Sequence, residues 1–205
     1  MTISKTLLAG AALAAAAMTT ASPAFAQARA VAVISTDGAV QGSTAWTNAQ
    51  TAIRSTYAAQ IQALETRQAA LAAELKPMQD AYNNAAQQPN ATRESVAPYA
   101  QPLAQKQQAA QAEMQQLQQP VALARAYVAE QISVHLDAAA KAAMAAAGVD
   151  LALRPEGVLV VGQGSNANLT DEVVAELNKR VQNVSVTPPA GWQPGQLQQA
   201  AQPQQ

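Results

Sequence analysis

The chain has 205 residues, with 12 Lys and Arg against 13 Asp and Glu and a formal net charge of −1, which leaves room for one domain of ordinary size. It has no cysteine and a single histidine, His135, so disulfides are excluded and no Cys/His set exists for a transition metal. No Lys/Arg cluster supplies the basic face that a nucleic acid requires, and a chain rich in Ala and Gln with 3 % aromatic residues fits long helices in a slender seam rather than a large compact core.

Residues 1–26 carry Lys5, an apolar run over 7–18 and then Ala24-Phe25-Ala26. A charged start, a short hydrophobic region and an Ala-x-Ala site are the layout of a secretory signal peptide, with cleavage expected between Ala26 and Gln27. The run falls short of the roughly 20 apolar residues that span a bilayer. No later segment is more apolar, so a soluble, exported mature chain is expected. Phe25, the only Phe, would leave with the signal.

The stretch AVAVIS (30–35), followed by Thr36-Asp37-Gly38, predicts a buried strand that ends in a turn. Ser43 or Thr44 is placed to cap a helix. Large residues then recur at Tyr57, Ile61, Leu64, Gln68, Leu71, Leu75, Met78 and Tyr82, with Ile53 four places upstream. Steps of four and three make an apolar heptad seam with one polar member, Gln68. Residues 83–94 carry Asn and Pro and no large apolar residue, which marks a turn with Asn90 as a cap for the next helix. A second seam follows through Tyr99, Leu103, Lys106, Ala110, Met114, Leu117, Val121, Ala124 and Val128, continuing to Ile132 and Leu136 and stopping at Gly148.

Laid antiparallel, the seams match: Tyr82 with Tyr99, Met78 with Leu103, Leu75 with Lys106, Leu71 with Ala110, Leu64 with Leu117, Tyr57 with Ala124, Ile53 with Val128. All pairs mirror about one point between Asn90 and Ala91, inside the independently predicted turn. This gives a long α-hairpin whose limbs reach about 50 Å or more at 1.5 Å per residue. Pro98 and Pro102 fall near a helix start, where proline is tolerated. Pro77 and Pro120 lie deeper and predict bends, since an interior proline costs about 3 kcal/mol or more.

Two further apolar stretches, VDLALR (149–154) and GVLVV (157–161), flank Arg154-Pro155-Glu156-Gly157, which suits a type I turn between strands. After a loop over 162–169, Thr170 is placed to cap a short helix, with Asp171 and Glu172 at its positive end and Lys179 and Arg180 at the other. The Pro/Gln-rich residues 187–205 suggest disorder. The fold class expected is α+β, mostly α. Residues 27–42 and 148–186 form a small β body with a short C-terminal helix. Residues 43–147 form a hairpin inserted between the first strand and the closing strands, its tip near 83–94.

The sequence holds little chemistry. Gly162, Gly164 and Ala167 match Gly-x-Gly-x-x-Ala, but Asn168, Leu169 and Thr170 delay the following helix. The last acidic residue is Glu176, inside that same helix, and no further strand–helix–strand unit remains to complete a dinucleotide fold. No phosphate loop of the Gly-x-x-x-x-Gly-Lys-Ser/Thr type exists, so ATP use has no support. His135 has no accompanying nucleophile motif and is expected at the edge of a helix interface. Asn90-Ala-Thr, Asn168-Leu-Thr and Asn183-Val-Ser are formal glycosylation sequons that Asn-rich turns produce by chance. Among the aromatics, Tyr57, Tyr82 and Tyr99 fall on the seam and are expected to pack there; Trp46 and Tyr127 lie off it. No catalytic residue, cofactor or metal is expected.

The order strand, long Ala/Gln-rich hairpin, strands, helix resembles the Skp/OmpH family of periplasmic outer-membrane-protein chaperones. The resemblance is carried by AVAVIS after a signal peptide, by the hairpin, and by GVDLALRPEGVLVVGQGSNANLTDEVVAELNKRV (148–181), with Leu169-Thr170-Asp171-Glu172-Val173 at the family's helix start. It spans about residues 30–181. It implies a periplasmic homotrimer whose central β body, here drawn from Val31, Val33, Leu151, Leu153, Val158 and Val160, carries three hairpins around a cavity. There unfolded outer-membrane proteins would be held without ATP and kept from aggregating. Short strands with open edges make assembly physically reasonable, and many weak contacts along slender limbs would supply affinity. Family members often have basic limbs. Here Arg54, Arg67, Lys76, Arg93 and Lys106 are balanced by Glu65, Glu74, Asp80, Glu94 and Glu113. That argues against strong electrostatic capture of acidic clients or lipopolysaccharide and predicts client binding less sensitive to salt than that of a basic relative. The alternative is a structural coiled-coil spacer or adaptor of the cell envelope; the absence of a dense apolar patch at the tip favours the holdase.

Overall fold

The computed structural model describes residues 30–159 and 167–201. Strand β1 (Ala30–Val33) leads through helix α1 (Thr36–Gly42) into α2 (Thr44–Thr56) and α3 (Ala58–Ala86). The chain turns and returns along α4 (Arg93–Ser133) and α5 (Leu136–Ala147) to strand β2 (Val149–Leu153). A single 3-10 turn (Pro155–Gly157), α6 (Thr170–Arg180) and α7 (Gln196–Ala201) complete it. The fold is mostly α, with a small parallel sheet of β1 and β2 in register Val31 with Leu151, Ala32 with Ala152 and Val33 with Leu153.

Local chemistry explains each boundary. The predicted turn at Thr36-Asp37-Gly38 is instead the first turn of α1. The Ser35 hydroxyl accepts from the Gly38 amide at 3.0 Å and Asp37 favours the helix's positive end. A Cβ on Gly38 would come within 2.8 Å of that Ser35 oxygen, so a larger residue there would require the hydroxyl to shift. Ser43, one of the two expected caps, opens α2 by accepting from the Trp46 amide at 3.2 Å. At the tip the cap is Thr92, not Asn90. Its hydroxyl accepts from the Ser95 amide while Ser95 Oγ accepts from the Thr92 amide, a reciprocal capping box. Gly148 ends α5 at φ 66 and ψ 33, a left-handed stop.

Helix α4 is 41 residues long, about 60 Å at the usual rise. It runs through Pro98, Pro102 and Pro120, as α3 runs through Pro77. Each of these prolines lacks the N–H of one ladder bond, yet the two places where helix gives way are others: Tyr57 (φ −106, ψ 20), between α2 and α3, and Val134 and His135, between α4 and α5. Two of the expected strand features change. Gly157 closes the 3-10 turn with its amide on the Arg154 carbonyl at 3.0 Å, the bond expected of a type I turn. Val158 and Leu159, however, continue in no strand, and residues 160–166 lie outside the described residues. The place of a third strand beside β1 is taken by residues 167–169, where the Val33 amide donates to the Ala167 carbonyl at 2.6 Å and Leu169 donates back to Val33 at 3.0 Å.

The core sits at the foot of the hairpin, where α1, α2, the end of α4, α5 and α6 meet. Ala32, Ile34, Ala39, Val40, Ala45, Ala49, Ile53, Ala124, Val128, Ile132, Ala139, Ala143, Leu169, Val173 and Leu177 are all buried there. Seven of these are alanines, and side chains this small let helices approach closely, so a chain with few bulky residues still excludes water at one place. The expected disorder of 187–205 is corrected for residues 187–201: Trp192 is buried against Tyr127 and α7 lies on α4. An aromatic and a handful of backbone hydrogen bonds hold a segment whose composition alone suggested no partner.

Candidate functional site

The first candidate surface is the outer face of the sheet. Alternation along a strand puts i and i+2 on one side, and the register brings Val31 beside Leu151 and Val33 beside Leu153. Ala32, pointing the other way, is fully buried in the core. Val31, Leu151 and Leu153 are 45 %, 53 % and 40 % exposed, and Val33 is half-buried. The result is an apolar face on a two-stranded sheet, and among the described residues β2 is paired only by β1, leaving its outer edge open. Val158 is half-buried beyond the 3-10 turn and not in the sheet; Val160 lies outside the described residues. Leu159, which the sequence reading passed over as one more strand residue, is 98 % exposed.

The second is the groove between the limbs. Of the seam residues, Leu71, Leu103 and Val128 are buried. Tyr57, Ile61, Leu64, Leu75, Met78, Tyr82, Met114, Leu117 and Val121 are half-buried, and Tyr99 is exposed. Two helices alone cover only one side of each seam residue, so half-burial is what a lone hairpin allows. An open groove of about 690 Å³ runs along the middle of the hairpin, bordered by Leu71, Leu75, Ala110 and Met114 with Gln68 and Gln107 at its margin.

A cluster of four charges, none of them lining the groove, ties the limbs together at the same level, and it becomes visible only once the limbs are side by side. Arg67 meets Glu113 in a two-pronged pair, Nε to Oε1 at 2.6 Å and the second nitrogen to Oε2 at 2.9 Å. A third Arg67 nitrogen reaches Glu74 at 2.7 Å, and Lys106 closes the network on Glu74. Arg67 and Glu74 stand seven apart on α3, and Lys106 and Glu113 seven apart on α4, flanking the buried Leu71 and Ala110. Lys106 therefore breaks the apolar seam because Glu74 awaits it. The signal available in the sequence was the opposite sign of residues one place from mirror-related positions. The bonds shift the titration: hydrogen bonds from Lys106 and then Arg67 hold the Glu74 carboxyl below the usual range, the bond from Arg67 does the same to Glu113, and Glu113 and Glu74 raise the Arg67 guanidinium.

Little of enzymatic character gathers elsewhere. Gly162 and Gly164 lie outside the described residues, and Ala167 spends its carbonyl on β1. No group of three metal-ligating side chains occurs among the described residues. His135 is half-buried at the α4–α5 break and lines a hollow with Val134, Val184 and Leu197. Thr170 is not the cap of α6. Asn168 Oδ1 accepts from the Thr170 amide at 3.1 Å, and Thr170 Oγ1 instead accepts from the Ser35 amide at 3.0 Å, tying α6 to the end of β1. No helix among the described residues is long and apolar enough to cross a membrane.

No curated protein matches the chain significantly. Among solved structures, a candidate outer membrane chaperone (OmpH-like) from Caulobacter crescentus CB15 is 22 % identical, over 77 % of this chain and 88 % of that one, with a TM-score of 0.45. The model of the OmpH-like outer membrane protein family matches residues 30–177, from the first residue of β1 through the hairpin and sheet into the last turns of α6. The chain belongs to the OmpH-like family.

Proposed function

We propose that the protein is a non-enzymatic, ATP-independent holding chaperone of the periplasm, which works as a homotrimer and keeps unfolded outer-membrane proteins from aggregating between its hairpins. The observation that carries the reading is the apolar sheet face of Val31, Leu151 and Leu153, exposed on a single chain. An isolated two-stranded sheet is marginal in water, and an open β edge beside an apolar face is a surface that needs a partner. Identical copies meeting there would bury the three feet together and leave the limbs projecting side by side. Family membership supports the same reading.

The limbs suit loose, non-chemical holding. They offer half-buried apolar side chains broken by Gln and Ala, so a client would meet many weak contacts rather than one deep pocket, with affinity arising from multiplicity. The signal peptide expected over 1–26 would deliver the chain to the compartment where such clients are exposed.

The deciding measurement is the solution mass of the mature protein, alone and mixed with a urea-denatured outer-membrane β-barrel protein that is then diluted. A trimer that forms a soluble complex of defined stoichiometry is expected. A monomer, or a trimer that leaves the client to precipitate, would overturn the proposal; the second outcome would favour an envelope spacer.

A further inference from the structure

The family match ends at residue 177, yet the chain continues in an ordered path across the foot of the hairpin. The Val186 carbonyl accepts from the Tyr57 hydroxyl at 3.2 Å. The Ser185 backbone forms a reciprocal pair with the Gln131 amide, at 2.8 and 3.0 Å. Trp192 lies edge-on to Tyr127, ring centres 5.0 Å apart. Glu130, only 5 % exposed, accepts from the backbone amides of Gly195, Leu197 and Gln198 at 3.0, 2.6 and 3.0 Å. One segment thus touches both limbs. It reaches the outgoing limb at Tyr57, where α2 gives way to α3, and the returning limb at residues 127–131, just before α4 gives way to α5.

We propose that residues 182–201 form a releasable strap across the two limbs, which fixes their splay while docked and lets them swing at the Tyr57 and His135 breaks when it detaches. The placement is what argues for it. A helix bends most readily where its regular geometry is broken; the strap is anchored at one break, Tyr57, whose φ and ψ leave the helical region, and beside the other at Val134 and His135. The hold is also of limited strength. Trp192 is the one buried side chain in residues 187–201, and its indole N–H is buried with no partner among the described residues, a cost that a permanent strut would avoid. Beyond Trp192 the strap hangs on a single carboxylate serving three amides, so losing Glu130 releases that end as a whole.

On the chaperone reading, which the functional part of this inference rests on, release would let the limbs admit larger clients. The mechanical claim needs no client to test. Because the chain lacks cysteine, Q62C and Q119C place spin labels at two exposed, mirror-related limb positions, and dilution with unlabelled protein isolates the distance within one chain. The native chain should give a narrow distance distribution. E130Q/W192A and a chain ending at Gln182 should each broaden it and speed amide exchange at Tyr57 and His135 by roughly tenfold or more, with exchange at Val173 and Leu177 unchanged. W192F, which keeps the ring and removes the unpaired N–H, should stay narrow. Distances unchanged in both the double variant and the truncation would overturn the strap, as would free quenching of Trp192 fluorescence by iodide in the W46F protein. Either failure would leave client holding, measured separately by light scattering, untouched.

Discussion

Gly38 shows how much can rest on one hydrogen atom. Its missing side chain lets the Ser35 hydroxyl sit over the first turn of α1, and any Cβ there would lie 2.8 Å from that oxygen. Ser35→Ala, which removes the capping hydroxyl outright, should cost about 1 kcal/mol, within the usual range for losing an N-cap. Urea denaturation should show this as a lower midpoint at unchanged slope; an unchanged midpoint would mean that the cap contributes nothing. The same locality explains which residues could be read in advance. Ser43 was found because Ser followed by a helical run is a strong local signal. Thr170 was misassigned because Asn168 offers a carboxamide two residues earlier, and because the Thr170 hydroxyl is claimed by Ser35, 135 positions away in sequence. Nothing local encodes that distant bond.

At the scale of elements, the hairpin was legible because its information is periodic. Two seams with a shared mirror point specify an antiparallel register, and Leu71 and Ala110 border one groove between the limbs. What periodicity could not supply was the cross-limb cluster of Arg67, Glu74, Lys106 and Glu113, since each charge looks like an ordinary surface residue until the limbs are brought together. Its consequence is a dependence on pH. Glu74 and Glu113 titrate below their ordinary value of 4.5 when folded. Their stabilisation is therefore fully present above pH 4.5 and is lost as the pH falls through the lowered folded values. Thermal melting of the native chain should drop below about pH 4.5 more steeply than that of Glu113→Gln, whose baseline is lower at neutral pH. Parallel curves would mean the pair does not hold the limbs. The break at Tyr57 and the helix at Thr36–Gly42 were hidden for a different reason: the break carries no Gly or Pro to announce it, and a helix of seven residues leaves too few turns for a periodic signal.

For the whole molecule, the decisive feature is the unequal distribution of burial. Water is excluded thoroughly at the foot and only partly along the limbs, so the foot determines whether the chain is folded and the limbs determine what it can touch. If copies associate through the sheet face, a charge placed there should prevent it. Leu151→Asp, at a position 53 % exposed in the single chain, should leave the far-ultraviolet dichroism unchanged and reduce the sedimenting mass from three chains to one, because burying an unpaired carboxylate in an apolar contact is strongly unfavourable. An unchanged mass would place the association surface elsewhere.

The two strands that bracket the hairpin are parallel neighbours, joined residue to residue, while everything between them is a single out-and-back excursion. This separates reach from foundation. Removing one heptad from each limb at mirror-related positions would restore every facing pair one step closer to the foot, whereas removing a heptad from one limb alone would set Arg67 against the wrong partner and strand Leu71 without Ala110. Limb length is thus a dimension that lineages can shorten or extend in matched increments of about 10 Å, with the core, the sheet and the surfaces around them undisturbed.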